Sequence, residues 1–194
     1  MLYILVVAAL RLLVPLVFRI RVEGNLHIPK EGAVVLAANH RSLWDPVFVT
    51  LASRRPVYFM AKEELFRIPV LGFVLPYLKA FPVRRGESDR MAIRKALSVL
   101  RDGSVLGIFV EGTRNKDEAG KMLPLKHGAA MLATRSEASI VPVAIQRMKR
   151  QITIKVGQPL TPHWQLADRR ARYQIISDTL QEILSQMLEP LPQA

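Results

Sequence analysis

The chain reads as an α/β domain: a layered sheet, mixed or largely parallel, flanked by helices and preceded by an N-terminal membrane-associating helix. Three observations carry that reading. Short apolar runs alternate with helical periodicity from residue 34 onward, no repeat or linker splits the chain, and the first eighteen residues are almost wholly apolar. Strands alternating with helices bury their apolar faces as a sheet covered by helices. A length of 194 residues fits one such domain with a sizeable core. The division is residues 1–20 for the N-terminal segment and 21–194 for the α/β domain.

Leu2 to Leu10 is unbroken apolar sequence, Arg11 interrupts it, and Leu12 to Phe18 resumes it around Pro15. A secretory signal carries its positive charge before the apolar stretch. Here Arg11, Arg19 and Arg21 fall within or after it, so no cleavage is expected. A full span needs about 20 apolar residues, and an arginine at its centre is costly. The segment therefore reads as a shallowly inserted or single-pass anchor, with a core helix capping the domain as the alternative. If it spans, the arginines on its C-terminal flank hold the domain on the cytoplasmic side.

Phe18 to Glu23 reads as extended, turning at Gly24-Asn25, and Val34 to Ala38 as a buried strand. A loop holding His40 leads to a helix from about Asp45 to Arg54, then a strand from Pro56 to Ala61. Pro69, Gly72 and Pro76 break Lys62 to Lys79 into short helices. Ala80 to Arg84 is a short strand ending in an Arg85-Gly86 turn. Ser88 caps a helix to Arg101, whose Ile93, Ala96, Leu97 and Leu100 recur at three- and four-residue steps. Asp102-Gly103 ends it. Ser104 to Val110 is a strand, Lys126 to Ser136 a helix, and Ile140 to Ile145 and Gln151 to Val156 are strands. A final amphipathic helix runs from about Ala167 to Leu188.

Half of the residues are apolar, mean hydropathy is +0.17, and 28 Lys and Arg face 16 acidic residues for a formal charge of +12. So basic and apolar a chain points to an anionic membrane surface or anionic substrates. Nucleic-acid binding, the rival on charge alone, is not expected. The basic residues are scattered, aromatics are 7%, and no nucleic-acid-binding signature appears. The absence of cysteine removes disulfides, thiolate metal sites and a cysteine acyl-enzyme.

Two segments concentrate the chemistry, each directly after an apolar run. Asn39-His40-Arg41-Ser42-Leu43-Trp44-Asp45 places a histidine and a carboxylate five residues apart. An imidazole takes a proton from an alcohol when its other nitrogen donates to a carboxylate, which fixes the tautomer and stabilises the imidazolium. The same spacing also serves a purely structural hydrogen bond, and the sequence leaves both open. With no cysteine and no Gly-x-Ser-x-Gly elbow, such a base would activate a hydroxyl of the substrate. Phe109-Val110-Glu111-Gly112-Thr113-Arg114 offers a hydroxyl and a guanidinium suited to phosphate oxygens; a structural Glu111–Arg114 ion pair is the alternative. His27, His127 and His163 read as surface or capping residues. No paired ligand spacing marks a metal site.

These segments resemble the glycerophospholipid acyltransferase family, most closely its bacterial 1-acyl-sn-glycerol-3-phosphate acyltransferases. Four blocks match in order: Asn39 to Asp45; Phe81-Pro82-Val83-Arg84-Arg85, with Arg85 at the family's arginine; Phe109 to Arg114; and Ile140-Val141-Pro142-Val143-Ala144-Ile145. Val110 stands where the family has proline, and Lys79 where a glycine is common.

The resemblance implies that His40, oriented by Asp45, deprotonates the free hydroxyl of a lysophosphatidate for attack on an acyl thioester of coenzyme A or acyl carrier protein. No further cofactor is implied. Arg85 and Arg114 would clamp the phosphate, Glu111 and Thr113 would order that clamp or contact the glycerol, and Gly112 would let the backbone come close. The implied location is the cytoplasmic face of the cell membrane. The rivals are a related acceptor such as glycerol 3-phosphate or another lysophospholipid, a thioester hydrolase, and a non-catalytic peripheral membrane protein.

Overall fold

The computed structural model describes residues 2–84, 89–117, 121–160 and 168–189. Arg85, Gly86, Ser88 and His163, all singled out above, lie outside them. A sixteen-residue helix, α1 (Leu2–Val17), opens the chain and is followed by β1 (Arg19–Glu23). Gly24, left-handed at φ 70°, turns the chain into a short 3-10 helix at Asn25–His27. Then come β2 (Val34–Ala38), α2 (Asp45–Ala52), β3 (Val57–Lys62), a 3-10 turn at Glu63–Arg67, α3 (Pro69–Tyr77) and β4 (Ala80–Val83). The chain continues through α4 (Arg90–Arg101), β5 (Val105–Phe109), α5 (Gly128–Ser136), β6 (Ser139–Met148), β7 (Gln151–Val156) and α6 (Arg169–Leu188).

The seven strands form one sheet in the order β1-β7-β6-β2-β5-β3-β4. β6, β2, β5, β3 and β4 are mutually parallel; β7 runs antiparallel to β6, and β1 parallel to β7. The sheet is thus mixed with a parallel centre. Alternation along each strand splits the core in two. Val35, Ala37 and Leu106 face Leu97, Leu132 and Leu180 of α4, α5 and α6. Val34, Leu36 and Ala38 face the other way, with Val14 of α1 and Phe48 of α2. Burial on both faces is why β2 reads as five apolar residues without alternation.

Several element bounds differ from expectation by a few residues, three of them for a visible reason. Asp89, not Ser88, caps α4: its carboxylate accepts from the amides of Met91 and Ala92 and from Arg84, which holds its pKa below the usual value. β6 runs to Met148 rather than Ile145, because its polar end pairs with β7 in a hairpin turning at Lys149, φ 54°. The last helix starts after the Asp168 cap, at Arg169.

Lys79 explains its own departure. It is left-handed at φ 59°, a conformation that costs little only for glycine. Its ammonium donates to Tyr58 Oη at 3.0 Å and lies 4.5 Å from the Tyr58 ring centroid, contacts that glycine cannot make.

Helix α1 packs one side against the domain and leaves the other bare. Val7, Val14 and the following Phe18 are buried, whereas Leu12, Leu13 and Leu16 are bare at 75%, 60% and 78% exposure. At 1.5 Å per residue its length is about 24 Å. Among the described residues no helix is long and apolar enough to cross a membrane.

Candidate functional site

The two chemistry-bearing segments leave the C-terminal ends of adjacent parallel strands. Ala38 of β2 is level with Phe109 of β5, so the residues that follow emerge side by side at one sheet edge, where α/β sheets carry their sites. Val110 prolongs this pairing, its amide donating to Ala38 O at 3.0 Å. Proline, which the family has there, lacks that donor.

Asn39 steers the chain out of the sheet. Its side-chain amide donates to Ile145 O at 3.0 Å and accepts from Ile145 N at 2.7 Å, imitating a strand residue against β6. His40 follows, 7% exposed, with Nδ1 2.9 Å from Asp45 Oδ2. A carboxylate only accepts, so Nδ1 carries the hydrogen and Nε2 presents a lone pair. The same Oδ2 accepts from Arg41 N at 2.6 Å and Ser42 N at 2.7 Å. Three donors on one oxygen fold the 40–45 loop around its carboxylate. The imidazole also lies against the Phe109 ring, centroids 4.0 Å apart and planes at 19°.

Glu111 is buried at 2% exposure, with both oxygens engaged: Oε1 accepts from His40 N and Oε2 from Leu123 N, each at 3.0 Å. It ties the two segments to the chain that enters α5. No Glu111–Arg114 ion pair forms among the described residues. Gly112 turns at φ 71°, and a Cβ there would meet Lys126 Cγ at 3.1 Å. Gly112, Thr113 and Arg114 are exposed, and Arg114 makes no hydrogen bond or ion pair among the described residues. Asn115 closes the loop: buried at 4%, it donates from N to His40 O at 2.7 Å and from Nδ2 to Lys121 O.

The structure thus brings together His40, Asp45 and Glu111 and places Gly112, Thr113 and Arg114 on the following surface turn. Arg85 lies outside the described residues. Asn39, Phe109 and Asn115 escaped the sequence reading as contributors. Asn39 had one visible signal, a polar side chain directly continuing a buried apolar run; Asn115 had none. The other described histidines are spoken for, His27 by Val156 O and His127 by Ser177 Oγ. Among the described residues no three His, Cys, Asp or Glu side chains gather as a metal site.

A family model described as Acyltransferase matches residues 19–146, a range that holds all four sequence blocks. The chain is 30% identical over 162 residues to the 1-acyl-sn-glycerol-3-phosphate acyltransferase of Bacillus subtilis, covering 78% of this chain and 79% of that one. It is 35% identical over 129 residues to the protein of the same name from Borreliella burgdorferi, covering 66% of this chain and about half (51%) of that one. Among solved structures it resembles the 1-acyl-sn-glycerophosphate acyltransferase PlsC of Thermotoga maritima, with a TM-score of 0.78 over 99% of this chain and 81% of that one. At 22% identity that likeness is one of fold.

Proposed function

This chain belongs to the acyltransferase family, and from that premise we propose that it moves an acyl chain from a thioester to the free sn-2 hydroxyl of 1-acyl-sn-glycerol 3-phosphate, giving phosphatidate. The acceptor is the one in the names of its relatives from Bacillus subtilis and Borreliella burgdorferi. One observation carries the chemistry: the buried His40–Asp45 contact of 2.9 Å, next to the segment that bears Arg114.

His40 Nε2 takes the proton of the acceptor hydroxyl as its oxygen attacks the thioester carbonyl. The carbon–sulfur bond then breaks, and the departing thiolate takes the proton back from the imidazolium. Asp45 holds the ring and offsets its transient charge. The Arg114 guanidinium, which makes no hydrogen bond or ion pair among the described residues, is suited to the acceptor phosphate, with Arg85 as the second expected cation. Glu111 acts behind them by fixing the backbone of His40, and Gly112 lets the turn pass beneath Lys126. Coenzyme A and acyl carrier protein both present the required thioester, so either suits as donor.

The same reading places the protein at the cytoplasmic surface of an anionic membrane. The support is the apolar outer face of α1, continued by exposed Leu43 (67%) and Trp44 (42%) directly before Asp45. Trp44 meets Phe18 edge-on at 5.3 Å, joining the end of α1 to the dyad loop. A bilayer along that face would bring acyl chains to the base, and the charge of +12 would draw the protein to anionic headgroups.

The test is phosphatidate formation by His40→Ala and Asp45→Asn, with thermal melting as the folding control. A positioned base supplies about 10²–10⁴-fold. Both variants should lose at least about 100-fold in turnover while remaining folded. Near wild-type turnover by folded His40→Ala would remove the base from the mechanism.

A further inference from the structure

We propose that a stack of three rings, Phe59, Phe109 and His40, built over Gly107, holds the imidazole in its working orientation, so that Phe109 is a positioning residue of the reaction. This rests on His40 being the base. The hydrogen bond from Nδ1 to Asp45 fixes one point of the ring and leaves it able to tilt about that contact. A flat partner on the ring face removes that freedom. Phe109 supplies one, at 4.0 Å and 19°, and Phe59 lies behind Phe109 at 6.1 Å and 16°. Phe109 is thus close to parallel with the ring on each side of it.

The register explains how the stack arises. Ala38 and Phe109 are cross-strand partners, and His40 lies two residues beyond Ala38, so its side chain returns to the same face of the sheet as Phe109. That is the face shared with α1 and α2. On the far side of β5, Phe59 is level with Gly107. A Cβ at Gly107 would lie 2.2 Å from Phe59 Cε1. No side chain fits there while the Phe59 ring stays where it is, so the glycine makes room for the outermost ring. The stack also presents an aromatic face to the imidazolium formed when the proton is taken, a favourable contact for a cation.

The experiment compares wild type, Phe109→Leu and Phe109→Tyr in acceptor-dependent thiol release, with His40→Ala as reference. Leucine keeps apolar bulk and removes the ring, whereas tyrosine keeps the ring. Misplacing a catalytic group by about 1 Å costs up to about 100-fold, so Phe109→Leu should lose about tenfold or more in kcat. KM for donor and acceptor should stay within about twofold, and Phe109→Tyr should recover most of the loss. The His40 ring protons, assigned by their disappearance in His40→Ala, should carry an upfield ring-current shift that Phe109→Leu abolishes. If Phe109→Leu does not fold, Phe59→Leu is read instead, with a smaller kcat loss at fixed KM expected. Unchanged kcat in the folded leucine variant, or equal impairment with tyrosine, overturns the stack. Undiminished turnover in His40→Ala instead overturns the base itself, a separate outcome in the same assay.

Discussion

Oδ2 of Asp45 gathers three hydrogens, one from the imidazole and two from the loop backbone, so one atom both folds the loop and orients the His40 ring. The five-residue spacing made the pair legible in the sequence, but not the loop amides that share the oxygen. Glu111 was read from the sequence as ordering the phosphate clamp or contacting the glycerol, with an ion pair to Arg114 as the alternative. Its actual service, to the amides of His40 and Leu123, depends on two strands and a later loop meeting in space. Arg114 has no such ties among the described residues, and a charged hydrogen bond is worth about 1.5–3 kcal/mol. Arg114→Ala should therefore raise KM for the lysophosphatidate by about 10- to 100-fold, with a smaller effect on kcat. Steady-state kinetics varying the acceptor checks this, and an unchanged acceptor KM would remove Arg114 from the site.

The elements explain why the two segments converge. Neighbouring parallel strands β2 and β5 end level with one another, although 66 residues of sequence order lie between Ala38 and Val105 by number alone. Each strand was legible by itself from its apolar run. Their adjacency was not, because it follows from crossover connections that place β5 between β2 and β3. The longer β6 was hidden for a related reason: its last residues, Gln146 to Met148, are polar or exposed and belong to the strand only through pairing with β7. At the end of β5 the turn depends on Gly112. An alanine there must hold a left-handed backbone, at roughly 1–2 kcal/mol, and press on Lys126. Gly112→Ala should lower the urea midpoint accordingly and reduce turnover by displacing Arg114. An unchanged midpoint would show that the turn tolerates a side chain.

At the scale of the whole molecule, the His40 ring, the apolar side of α1 and the Leu43–Trp44 loop belong to one side of the sheet. The apolar N-terminus was legible, but its division into a buried and a bare face was not, because that depends on what α1 packs against. Deleting the segment would also remove Val14 and Phe18, which are 3% and 5% exposed, and so would confound membrane binding with folding. Leu12, Leu13 and Leu16 offer a cleaner test. Changing all three to serine should release the protein from phosphatidylglycerol vesicles in a flotation assay while leaving its melting temperature nearly unchanged. Retained binding would place the membrane contact elsewhere on the surface.

The central claim is that His40 activates the hydroxyl of a phosphate-bearing acceptor. Thiol release from acyl-coenzyme A and from acyl carrier protein, measured with and without lysophosphatidate for wild type and His40→Ala, tests it most directly. Release is expected with at least one donor, only when lysophosphatidate is present and only with His40 in place. Release by the wild type without acceptor, or equal release by His40→Ala, would contradict it.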